Sequence, residues 1–496
     1  MTPIVGFDNA KYIELQSQRI RERIEEFGGR LYMEFGGKLY DDFHAARVLP
    51  GFEPDSKLKM LLTFENDAEI IFSICADDIE KRKQRDDLGI RYDEEVLRLI
   101  DAYRDSGLNV SSVVITMYNG QPSADAFRAR LGGSGIKTYL HYPIEGYPAD
   151  TARVISEEGF GKNDWVETTK SLVVVTGPGP GSGKLATCLS QVYNDNRHGI
   201  KAGYAKFETF PVWDLAIDHP INYAYEAATT DLDDENQPDF FHKAAYGVDA
   251  VNYNRDLEAF PVLKRLFEEI WGECPYKSPT DMGVNVLGQC ITDDDVCRAA
   301  ARREILRRWY VARTDFRKGK VQNDTIAKKN EAIVKKAGVS DADNPAIAAA
   351  RNKADATRAP AAALLLPNGN LVSSKTSNLL GAASALLLNS LKNCAGIERG
   401  INLIPPEVLT PVTELKTTWL GHKNPRLHCD EALVALSISA STDDNAKKAL
   451  EQLPNLRGSE AFFTVIPSAV DEKMYKRLGI NFCCEPEYES SKLYHK

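Results

Sequence analysis

No apolar run in this 496-residue chain approaches the roughly 20 residues that a membrane-crossing helix needs, which excludes a helical membrane protein. No C-x-x-C pair occurs among its nine cysteines, an odd number spread from Cys75 to Cys484. This fits reduced thiols better than a disulfide framework or a four-cysteine zinc site. No H-E-x-x-H is present, which removes proteases of the zincin kind. A surplus of clustered Lys and Arg is also missing: the net charge is −10, against a nucleic-acid surface. The N-terminal stretch has no apolar core behind a basic start, so no secretory signal is read there and a cytoplasmic location is expected. Repeats, low-complexity tracts and Gly/Ser linkers are absent as well.

What is present is the balance of a globular chain, 43% hydrophobic and 27% charged. It is too long for one core, so several domains are expected. Through about residue 230, strand-like runs such as "AEIIFSICA", "SSVVITMY" and "SLVVVTG" alternate with helical patterns such as "DEEVLRLIDAYRDSG". That alternation predicts an open, mostly parallel α/β sheet with helices on both faces. Helical patterns dominate residues 231–357, including a start at Asn344-Pro345 with Asn as cap and Pro at the first helical position. Residues 358–496 read as a smaller α/β unit, opening with a hairpin at Asn368-Gly369. The predicted division is 1–230 α/β, 231–357 helical and 358–496 α/β.

The most informative segment is "SLVVVTGPGPGSGKLATCLSQ", Ser171 to Gln191. A strand feeds a glycine loop that ends in Gly183-Lys184 and opens a helix, the placement used to hold phosphate on converging backbone N–H groups. Gly177, Gly179, Gly181 and Gly183 let a ligand come close, Ser182 adds a hydroxyl, and Lys184 adds charge. The spacing departs from G-x-x-x-x-G-K-[ST]. Gly177 stands one residue too far from Gly183, Pro178 holds the first glycine position, and Leu185 replaces the hydroxyl that would bind magnesium, leaving Thr187 or Thr176 as substitutes. The competing reading is a tight strand-to-helix turn. A second glycine pair, Gly36-Gly37, precedes Lys38, Asp41, Asp42, His44 and Arg47 after the first strand. Strand C-termini of a parallel sheet face the ligand crevice, so both loops are expected along one cleft.

Other constellations have plainer readings. Asp77-Asp78 sits where a magnesium ligand or a helix cap would stand, and Asn119, Gly120 and Gln121 could orient a ligand or cap a helix. The run "DLDDEN" reads as a solvated acidic turn, with Asp231, Asp233 and Asp234 as further metal candidates. The basic run around Arg307 reads as a packed helix with a charged outer face. Cys483-Cys484 reads as one buried and one outward strand residue. His422, His428, Cys429, Asp430 and Glu431 invite a zinc reading, but the second half of the deaminase-type motif is missing, and an N-capped helix is the simpler account. Cys274 would need a lowered pKa and a base to act as nucleophile.

The segment from the glycine loop through "GYAKFETFPVWDLAIDHPINYAYEA" resembles the dethiobiotin-synthetase type of P-loop ligase. That resemblance implies that Lys184 is the loop lysine, Lys206 a second lysine holding substrate and phosphate, and Glu226 an acidic metal ligand. Over its whole length, through "EFGGKLYDDFHAARVLPGF", "WGECPYKSPTDMGVN" and "KNPRLHCDEALVALSI", the chain is similar to a bacterial family known as domain of unknown function 1846, which implies a several-domain α/β architecture. The expected function is activation of a small-molecule substrate by phosphoryl transfer, with ATP or another nucleotide and magnesium as cofactors. The alternatives are a non-catalytic anion- or metabolite-binding scaffold and a metal-dependent hydrolase using His428. Apolar surfaces suggest a homo-oligomer.

Overall fold

The computed structural model describes residues 3–36, 39, 42–85, 89–207 and 211–490. Seven strands form the larger sheet: β1 Leu31–Phe35, β2 Ala68–Cys75, β3 Val110–Thr116, β4 Lys137–Leu140, β5 Leu172–Thr176, β6 Gly203–Phe207 and β7 Gly283–Val284. Their order is β7-β6-β1-β5-β2-β3-β4, and every pairing is parallel. All carboxyl ends therefore lie along one edge, and the glycine loop after β5 emerges between the ends of β1 and β2.

The β-branched and aromatic runs form central strands because both faces are covered. Along β5, Leu172 and Val174 point into one core with Met33, Phe72 and Val113. Val173 and Val175 point into the other with Tyr32, Ile71 and Val114. Helices Asn9–Glu26 and Tyr92–Asp105 cover the first face, and Lys184–Arg197 and Asn254–Trp271 cover the second. This is the expected α/β architecture.

A separate sheet, β8 Ala361–Leu365, β9 Leu371–Lys375, β10 Glu460–Phe463 and β11 Asn481–Cys484, runs in the order β9-β8-β10-β11. Its first two pairings are antiparallel and the last is parallel. The hairpin turns at Gly369, whose φ of 85° suits glycine. Residues 231–357 are mainly helical; they also give β7 to the large sheet, and helix Pro345–Thr357 packs on β8 and β9. Asn344 caps that helix, accepting from the Ala346 N–H at 3.0 Å.

The long helix Asp294–Arg317 joins the two halves, touching helix Pro220–Ala228 on one side and β11 on the other. This changes the reading of Cys483 and Cys484. Their side chains do alternate, but both are buried: Cys483 joins the core beneath the long helix and Cys484 the core of the C-terminal unit. The face taken as outward is covered by another element. Among the described residues, no helix is long and apolar enough to cross a membrane.

Two glycines show where packing allows no side chain. A Cβ on Gly203, in β6, would lie 2.0 Å from Phe27 Cγ, whereas one on Gly132, in helix Pro122–Gly133, would meet nothing within 4 Å. Gly203→Ala is expected to lower unfolding stability by about 1–3 kcal/mol through overpacking. Gly132→Ala is expected to raise it by about 0.5–1 kcal/mol by reducing chain entropy and favouring helix. Urea unfolding of the two variants measures both.

Candidate functional site

Three loops leave the carboxyl edge of the large sheet side by side, after β1, β5 and β6. The glycine loop after β5 is packed from below. A Cβ on Gly177 would lie 2.4 Å from Ser182 Oγ, one on Gly179 2.3 Å from the Tyr92 hydroxyl, and one on Gly183 2.8 Å from the Thr116 side chain. The Thr116 hydroxyl also donates to the Ser182 carbonyl at 2.9 Å. These glycines are thus required by the protein's own contacts; Gly181 alone of the four is open, with a φ of 77°. Gly183, at φ 87°, caps helix Lys184–Arg197. The first helical amide to find a main-chain carbonyl is that of Thr187, on Gly183 at 2.9 Å. Among the described residues, the N–H groups of Lys184, Leu185 and Ala186 meet no main-chain carbonyl, as is usual at a helix start.

Lys184 lies half-buried and folded over its own loop, donating to the Gly179 carbonyl at 3.2 Å and Ser182 Oγ at 3.4 Å. Burial lowers its pKa, partly opposed by Glu34 on β1. Lys206, on β6, is paired in register with Glu34 and bonds Asp256 at 2.5 Å. Burial pulls its pKa down, and the Asp256 and Glu34 carboxylates outweigh it, so the ammonium is held above its usual value. The two lysines share one electrostatic neighbourhood with Glu34 and Arg255.

A cavity of about 780 Å³ opens beside this group. Its floor is the sheet edge at Gly36 and Lys206, one wall is the long helix, and the facing wall is the C-terminal unit at Lys476 and Gly479 to Cys484. The glycine loop is not part of its lining. Buried under the long-helix wall, Glu304 pairs with Arg47 at 3.0 Å, Arg307 at 2.6 Å and Arg308 at 2.9 Å. Burial acts to raise the Glu304 pKa, but Arg307 and Arg47 hold it well below the ordinary carboxylate value. Three guanidinium groups face one carboxylate, with Asp231 acting on Arg308 and Glu460 on Arg307 from outside the cluster; among the described residues the cluster is net positive. Burial lowers the pKa of Arg47 to about 10 and that of Arg308 as well.

His44 completes the cluster. Its Nδ1 stands between Arg308 Nη2 at 3.2 Å and Glu304 Oε1 at 3.4 Å, and its buried Nε2 has no hydrogen-bond partner among the described residues. Burial pushes the His44 pKa down to about 4, so the ring is neutral near pH 7.

The remaining candidates are placed as follows. Gly37, Lys38 and Asp41 lie outside the described residues. Asp42 caps the helix that carries His44 and Arg47, accepting from the Ala45 N–H at 3.1 Å, and pairs with buried Lys57 at 2.8 Å. Glu226 lies away from the cavity lining, accepts from the Asn236 N–H at 3.3 Å and sits 3.8 Å from Lys336. Thr187 is buried, with no partner for its hydroxyl among the described residues. Asp77 accepts from Gln121 Nε2 at 2.8 Å, which ties two helix starts together. His428 caps helix Cys429–Ser439, and its Nδ1 lies 3.2 Å from Asp471 Oδ2. Cys274 donates to the Tyr276 carbonyl at 3.3 Å, and burial raises its pKa, the opposite of an activated thiol. Among the described residues, no group of three or more His, Cys, Asp or Glu side chains is arranged to hold a metal ion.

Two sequence readings are corrected. The basic helix does not keep all its charge outside, because Arg307 and Arg308 are drawn to Glu304 and line the cavity. The acidic turn is not wholly solvated, because Asp234 is only 3% exposed and also lines the cavity. The available signal for the first was Glu304 itself, a lone carboxylate at spacings of three and four from Arg307 and Arg308.

Sequence comparison extends the picture to relatives. The profile described as "Domain of unknown function DUF1846, N-terminal" matches residues 5–338, and its C-terminal counterpart matches residues 342–494. The UPF0371 protein stu1377 of Streptococcus thermophilus is 53% identical over 491 residues, 99% of either chain. A UPF0371 protein of Streptococcus pneumoniae serotype 19F is 52% identical over the same length and share. Both halves of the fold, and with them the two walls of the cavity, fall within these matches, and the chain belongs to the DUF1846 (UPF0371) family.

Proposed function

We propose that this protein binds a phosphorylated small molecule in the cleft between the large sheet and the C-terminal unit. The observation that carries this reading is the positive surplus of the Glu304 cluster. Burying uncompensated charge is costly, and an anion with several oxygens both neutralises guanidinium groups and matches their forked N–H geometry. The buried His44 Nε2 is one more polar atom with no partner among the described residues. The cavity volume, about 780 Å³, lies in the range of small-molecule sites.

A second reading, nucleotide-dependent phosphoryl transfer, is favoured by Lys184 and Lys206 standing together beside the first amides of a helix N-terminus. In it the Gly179 to Gly183 backbone holds phosphate, Lys184 leaves the Gly179 carbonyl to neutralise developing charge, and Lys206 positions the substrate. No step of this reading passes through magnesium, because Leu185 stands where the hydroxyl ligand would be.

Calorimetry with pyrophosphate and with ATP at fixed ionic strength tests both readings. Arg308→Ala is expected to weaken pyrophosphate binding about tenfold or more. An unchanged affinity overturns the cleft reading. Lys184→Ala is expected to weaken ATP and leave pyrophosphate alone if the loop binds nucleotide; equal binding of ATP by variant and parent removes phosphoryl transfer.

His44 supplies a pH test. Its folded pKa, about 4, lies below the unfolded value of 6.5. The stability it contributes is complete above pH 6.5 and is lost as pH falls through the folded value. The difference corresponds to about 3 kcal/mol. Urea unfolding between pH 7 and 4 is expected to show a slope that is shallower by this share in His44→Asn. Pyrophosphate, which favours the charged ring, should restore stability at the acidic end.

A further inference from the structure

The part of the cleft lining that comes from residues 229–255 carries a different chemistry. A two-stranded ribbon, Asn236–Pro238 against Val251–Tyr253, brings Asp234 and Tyr253 together at its end, because Tyr253 pairs with Asn236. Both residues line the cavity and both are buried, at 3% and 5% exposure. Asp234 Oδ2 lies 3.3 Å from Arg255, but Oδ1 has no hydrogen-bond partner among the described residues, and the Tyr253 hydroxyl has only the Thr229 side chain beside it, outside full hydrogen-bond geometry. Thr229, on the same wall, gives its proton to the Tyr225 carbonyl at 3.2 Å. Burial raises the Asp234 pKa against the pull of Arg255, so the site bears a cost for keeping an ionised oxygen there.

A buried carboxylate oxygen accepts only, and a phenol both donates and accepts. The group that satisfies the two together donates to Asp234 and accepts from Tyr253, which is what an alcohol does. We infer that the ligand of this cleft is a phosphorylated polyol or sugar, its phosphate on the Arg47, Arg307 and Arg308 wall and a hydroxyl between Asp234 and Tyr253. The inference rests on the proposed phosphate-binding cleft and narrows its substrate class. Inorganic polyphosphates meet only the cationic wall, whereas a sugar phosphate meets both.

The test is calorimetry on the full chain at constant ionic strength, with inorganic phosphate, sn-glycerol 3-phosphate, ribose 5-phosphate and glucose 6-phosphate. At least one hydroxylated ester is expected to bind about tenfold or more tightly than inorganic phosphate, the difference made by a hydrogen bond to a charged group. Tyr253→Phe and Asp234→Ala should each remove that preference while inorganic phosphate binds as before. Asp234→Asn should unfold at a higher temperature than the parent without ligand, since it removes a charge that burial disfavours. Equal affinity for all four probes, a preference that survives both variants, or a fall in unfolding temperature for Asp234→Asn overturns the inference and leaves the phosphate cleft standing. Failure of every probe, inorganic phosphate included, to bind the parent removes the cleft reading and this inference together.

Discussion

One buried carboxylate organises the centre of this molecule. Glu304 stands on the long helix with Arg307 and Arg308 on its own turn and Arg47 reaching from the N-terminal unit. An isolated charge at such depth would cost several kcal/mol, and the carboxylate is tolerated only because guanidinium groups surround it. Conversely, the arginines can be gathered inside only because Glu304 is there to oppose their repulsion. The long helix and the helix bearing His44 and Arg47 are fixed relative to one another by this cluster as well as by apolar packing. The surplus charge left over is what gives the adjoining cavity its chemical character.

Around that cluster the fold repeats a general property of parallel sheets. Strand ends on one edge send their loops into one region, so distant segments such as Gly36, Lys206 and Arg255 become neighbours. The C-terminal unit supplies the facing wall through Lys476 and the β11 strand. Its sheet could not stand alone beside water on that side, because Cys483 and Phe462 share the core beneath the long helix. The continuity of that core across both halves makes the cleft a built part of the structure.

The site was only partly legible in the sequence. Lys184, Lys206 and Gly36 were identified because glycine, lysine and strand punctuation are local signals. The glycines of the loop after β5 also answer a demand that composition does not show: Gly177, Gly179 and Gly183 make room for Ser182, Tyr92 and Thr116, the last two from a helix and another strand. Glu226 looked like an acidic ligand by its place along the chain, yet its partners are Asn236 and Lys336. Asp234 and Arg308 looked like surface charge because hydrophobic patterning says nothing about a polar side chain turned into a cavity.

The sequence by itself determined the strands and helices of both units, the parallel character of the large sheet, and the hairpin at Gly369. Those follow from periodicity, turn residues and caps, which act over a few residues. Only the tertiary structure decided that Arg47 meets Glu304 from 257 residues away, that Asp234 is buried beside Tyr253, and that both cysteines of β11 are covered. Charge pairing and burial depend on which surfaces pack together, and that choice is made by the whole chain at once.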